Sequence, residues 1–115
     1  MNAPVNRCDW KYWIDAEGKV QRTTDLLAWA QWMGSPNRLV AMSKVGDHSI
    51  STVLLGLDQY WGDDPNHPPI LFETMVFGPK HEVWMDRYCT KEQAEAGHRL
   101  VVERMIAGLP PGKDE

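Results

Sequence analysis

Nowhere does the chain have a hydrophobic run approaching the roughly 18 residues of a membrane span; its apolar stretches are short and broken by polar side chains. Met1 to Trp13 contains no apolar core of signal-peptide length, so a cytoplasmic protein without a membrane partner is expected. Cysteine is scarce. Cys8 and Cys89 are far apart and in no ligand-spaced motif, which excludes a zinc-type cluster and predicts two free thiols in a reducing compartment. Basic excess is also missing: 12 Lys and Arg against 16 Asp and Glu leave a net charge of −4. That argues against binding nucleic acid through its phosphates, which needs a basic stripe, and the mixing of both signs argues against a DNA mimic. There is no Gly-x-Ser-x-Gly, no phosphate-cradling glycine loop and no Cys/His cluster. No cofactor and no metal are therefore expected.

What is present suits one globular domain. With 115 residues, 43% of them hydrophobic and 24% charged, the chain can bury a core without staples. Six tryptophans stand out. They fit a core of large aromatics, or one or two of them serve as exposed interface anchors.

The patterning predicts an α+β fold of order ββ-α-ββββ-α, spanning 1–115, with ends fraying at about 1–7 and 110–115. Trp10, Tyr12 and Ile14 alternate with Asp9, Lys11 and Trp13, the period of a strand. Ala16 to Lys19 reads as a turn and Val20 to Arg22 as the return strand. Thr23-Thr24-Asp25 opens a short helix, a threonine capping it, with a stripe of Leu26, Trp29, Ala30 and Met33, ended by Gly34 to Asn37. Strands are expected at Arg38 to Val45, Ile50 to Leu57, Ile70 to Phe77 and Glu82 to Tyr88, the last near an edge because it is the most polar. Short intervals between them favour an antiparallel sheet of four to six strands with both helices on one face. Thr90-Lys91-Glu92-Gln93 is a capping box that starts a helix running to about Ala107 before Gly108. Its inward face carries Ala94, Gly97, His98, Val101, Val102 and Met105.

Two side chains interrupt apolar surfaces. Glu73 sits within Ile70 to Phe77, on the face of Leu71, Met75 and Phe77, where a carboxylate must be paired or protonated. It pairs structurally with Arg87, faces solvent, or acts as an acid or base of raised pKa. His98 lies within the apolar stripe of the last helix. It is a core residue with a satisfied hydrogen bond or, if that helix covers the face of Glu73, half of a Glu–His acid/base pair. Asp58 could join them in a pocket; these three are the candidates for catalysis in a small enzyme or ligand-binding domain. The loop Asp58 to Pro69 is long for a compact domain and carries Tyr60, Trp61, Asp63, Asp64 and His67. Tyr60, Trp61, Asp63 and Asp64 are candidates for binding a protein partner; the spacing of the acids does not match an EF-hand.

The strings Ser51 to Asp58, Pro69 to Phe77, and Arg87-Tyr88-Cys89-Thr90 with Ala94 and Gly97-His98 resemble a pattern in small uncharacterised proteins of bacteriophages and prophages. The resemblance extends to Tyr12-Trp13-Ile14-Asp15 and Leu27-Ala28-Trp29-Ala30 and so covers most of the chain. It implies a non-structural accessory protein of the bacterial host cytoplasm that binds a host or phage protein, defence proteins included. It carries no established activity and no catalytic residue. A homo-oligomer is compatible with it.

Overall fold

The structure, a computed structural model, describes residues 7–80 and 82–112. The expected fraying at 1–6 and 113–115 lies outside the described residues, as does the side chain of Cys8; Cys89 is a free thiol.

Alternating residues form an antiparallel hairpin of β1 (Lys11–Ile14) and β2 (Val20–Thr23), with Lys11 opposite Thr23 and Ile14 opposite Val20. Its turn is organised by Asp15, whose carboxylate accepts from the amides of Glu17 and Lys19. The helix α1 (Leu26–Met33) follows. Its cap is Asp25, not a threonine: Asp25 Oδ1 accepts from the Ala28 amide at 3.1 Å, while Thr23 Oγ1 accepts one step earlier, from the Asp25 amide. The expected stripe is corrected as well. Leu26 and Ala30 are exposed, and the half-buried positions are Trp29, Trp32 and Met33. The helix is rotated because Trp29 Nε1 donates to the Tyr12 carbonyl at 3.0 Å.

After a short 3-10 turn at Pro36–Arg38, the chain builds a four-stranded antiparallel meander in the order β3 (Leu39–Val45), β4 (His48–Leu54), β5 (Phe72–Phe77), β6 (Val83–Tyr88). β4 starts earlier than Ile50 because Val45 pairs directly with His48, leaving only Gly46 and Asp47 in the turn. It stops before Leu57 because Gly56 takes φ +83°, a conformation no extended strand contains. A side chain at Gly56 would also strike Met33 and Trp29, so this glycine lets α1 approach the end of β4. The fold is thus α+β in the expected order, with its six strands divided between a two-stranded and a four-stranded sheet.

Helix α2 (Lys91–Ile106) begins at the expected capping box, with Thr90 and Gln93 satisfying each other's amides. It crosses all four strands of the meander. Ala94, His98 and Val101 are its buried residues. One apolar cluster joins Tyr12, Leu54, Leu71, Phe72 and Ala94; a second joins Ile50, Val76 and Val101. Arg104 pins the segment after the helix, donating to the carbonyls of Pro110 and Gly112, so 110–112 is held where fraying was expected. Arg7 is likewise anchored, to Asp58 and the His67 carbonyl.

Gly97 lies against the ring of Tyr88, which a Cβ would overlap at the hydroxyl, Cε1 and Cζ. Alanine gains about 1 kcal/mol of helix propensity but overpacks a buried contact at a cost of about 1–3 kcal/mol. Gly97→Ala should therefore lower stability by about 1 kcal/mol in urea melts. A gain in stability would mean that Tyr88 does not seat on this glycine.

Candidate functional site

Glu73, His98 and Asp58 do not converge; the structure puts them in three separate places. Successive strand residues point to opposite faces. Thr74 faces α2, so Glu73 faces away from it. Glu73 is buried, and Arg87 Nε, its neighbour across the ladder, donates to Glu73 Oε2 at 2.9 Å. The pairing of Glu73 with His98 is corrected on this ground. Glu73 makes the structural partnership with Arg87.

His98 instead closes a hydrogen-bonded array inside the helix–sheet interface. Its Nδ1 meets Thr52 Oγ1 at 2.8 Å and its Nε2 meets Ser43 Oγ at 2.9 Å. Thr52 Oγ1 hydrogen-bonds in turn to Thr74 Oγ1. Burial pushes the His98 pKa below its usual value and the Tyr88 pKa above it. A serine, an imidazole and a hydroxyl in line have the connectivity of a nucleophile, a base and its orienter. Here the imidazole is only 5% exposed and Thr52 and Thr74 are fully covered. Ser43 at its outer end is half-buried, and the array forms a polar layer between the two apolar clusters. Thr52, Thr74 and Ser43 were missed by sequence reasoning, because hydroxyls on alternating strand positions are ordinary on a half-buried sheet.

Asp58 organises the 58–69 loop. Burial raises its pKa, but the amides of Tyr60 and Ile70 and the Arg7 guanidinium all donate to the carboxylate and outweigh burial, leaving the pKa below the usual range. Its carboxylate is thus engaged by three donors that tie the two ends of the loop to Arg7. Tyr60 stacks on His67 with ring centroids 3.9 Å apart and planes within 3°, and the Arg7 guanidinium lies over the Tyr60 ring, 4.8 Å from its centroid. Asp64 accepts from the Asn66 amide and its own amide donates to the Tyr60 hydroxyl. Among the described residues, no group of three His, Cys, Asp or Glu stands close enough to hold a metal ion.

The braced loop carries Trp61, which is 90% exposed. Asp63 and Asp64 beside it are also exposed. A shallow cavity of about 300 Å³ adjoins the indole, walled by Arg7, Asp58, Tyr60 and Gly62. Of the four predicted partner-binding residues, Trp61, Asp63 and Asp64 thus present themselves to solvent, whereas Tyr60 is the brace.

The face of the meander away from α2 is a second open surface. By register, Met42, Ser51, Met75 and Met85 form one row across the four strands, and Lys44, Ser49, Phe77 and Val83 the next. Met42, Phe77, Val83 and Met85 are exposed. Among the described residues, no helix is long and apolar enough to cross a membrane. Comparison with protein families, with curated proteins and with solved structures gives no match.

Proposed function

We propose that this chain is a binding protein: a small accessory domain of the bacteriophage type, acting in the host cytoplasm by contacting a host or phage protein. The phage context rests on the sequence resemblance. The observation that carries the binding reading is Trp61. Exposing an indole to water is unfavourable, since burying a large aromatic is worth several kcal/mol, and here the loop beneath it is stacked and ion-paired. A pre-ordered tryptophan flanked by Asp63 and Asp64 suits an apolar slot rimmed by basic side chains. The rival reading, an enzyme built on Glu73, His98 and Asp58, has no common pocket to stand on.

A second reading is self-association through the open sheet face, favoured by its exposed methionines. One experiment separates the two. Tagged protein is expressed in a bacterial host and captured, and the co-eluting proteins are identified. Trp61→Ala should weaken the complex about 30-fold, equivalent to about 2 kcal/mol, with the thermal midpoint unchanged. Met85→Asp should leave it intact. If only Met85→Asp disrupts the complex, and what is lost is a second copy of the chain, the sheet face is the interface. Should Trp61→Ala unfold the protein, the loop reading fails.

A further inference from the structure

Three of the six tryptophans meet at one place distant in sequence from the 58–69 loop. Trp13 of β1 and Trp29 and Trp32 of α1 wall an open cavity of about 220 Å³ between the hairpin and the helix, with Thr23, Asp25 and Ala28 completing it. The rings of Trp13 and Trp32 are 6.4 Å apart and inclined at 70°, so their faces form a corner and not a stack. Trp29 is held by its bond to the Tyr12 carbonyl, which fixes the plane of the third wall. Asp25 is exposed, and its Oδ1 is engaged by the helix amide while Oδ2 makes no hydrogen bond among the described residues. No basic side chain lines the cavity.

We propose that this cavity is an aromatic cage that binds a quaternary ammonium head. Indole faces carry negative charge and attract a cation that has no N–H to be satisfied, and tryptophan is the strongest such wall. A trimethylammonium group is apolar on its surface and positive throughout, so it satisfies the rings and the Asp25 carboxylate together. A neutral ligand of the same shape would gain only the apolar contact, and an anion would meet Asp25 and the π faces with the wrong sign. Size is adequate: an apolar cavity of about 150 Å³ already accepts benzene. The walls come from two elements locked by a cap and an indole hydrogen bond, so little ordering is needed on binding. This site is separate from the partner loop, and its failure would leave that reading untouched.

The test is a titration of the intact protein with choline, followed by the indole N–H resonances of the six tryptophans, at constant ionic strength. The signals of Trp13, Trp29 and Trp32 should shift together and saturate. The uncharged isostere 3,3-dimethylbutanol should bind about tenfold more weakly. Asp25→Asn, which keeps a capping side chain, should weaken choline severalfold while leaving the melt unchanged, and Trp13→Leu should abolish the response in a protein that still melts cooperatively. N-acetyl trimethyl-lysine methylamide presents the same head on a peptide-like stem; whichever of the two cations binds more tightly names the source of the ligand. Equal binding of choline and dimethylbutanol, shifts centred on other indoles, or no saturable shift at about 100 mM would overturn the proposal.

Discussion

Replacing His98 with leucine should cost the fold about 3 kcal/mol. Leucine matches the volume but removes two hydrogen bonds, each worth about 1 kcal/mol net, and strands partners at Thr52 and Ser43. Thr52 is fully covered, so water cannot replace the lost partner. The same residue also makes stability depend on pH. Burial lowers the His98 pKa in the folded state, so on acidification the unfolded chain takes up its proton first. With more protons bound in the unfolded state, stability rises with pH. The contribution is complete above the unfolded value of about 6.5 and is lost below it, by at most about 1.4 kcal/mol per pH unit. Urea melts of both proteins at about pH 7.5, 6 and 5 isolate this effect, because every other residue is common to the two. The gap between the two proteins should narrow on acidification. A constant gap would mean that the imidazole is not excluded from water.

Truncating Phe72 should be worse still, about 4 kcal/mol, the middle of the range for a buried aromatic. The side chain has no exposed surface. It sits opposite Leu54 on one side and Tyr88 on the other, and shares its cluster with Tyr12 of the hairpin and Ala94 of α2. It is therefore the point where the two sheets and the long helix meet. A domain of this size is stable by about 5–15 kcal/mol, so Phe72→Ala takes a large part of it. Loss should appear first where the hairpin is joined to the meander, as faster exchange of the Tyr12 amide, which donates to the Gly56 carbonyl at 2.9 Å. A cost under about 1.5 kcal/mol would show that the hairpin is anchored elsewhere.

Some of this was written in short stretches of sequence. The Thr90–Gln93 capping box, the inward face of α2 and the antiparallel meander follow from interactions within a turn or between strands joined by a few residues. Patterns of that range need no knowledge of the remaining chain. Even the exposed position of Trp61 was legible as a candidate, since an aromatic in a long polar loop has few apolar neighbours at hand. What the pattern could not decide was which remote groups meet. Glu73 and His98 each announce a buried polar residue, but alternation does not say which face α2 will cover, and the answer separates them. Asp58 finds Arg7 across 51 positions, and the rotation of α1 was set by one indole bonded to a carbonyl of the hairpin. Trp13, Trp29 and Trp32 converge only because Gly56 admits the helix against the end of β4. The sequence by itself determined the elements and their polarity, because their hydrogen bonds close locally. The tertiary structure decided the partners, because burial is shared by segments far apart in the chain and depends on how all of them pack at once.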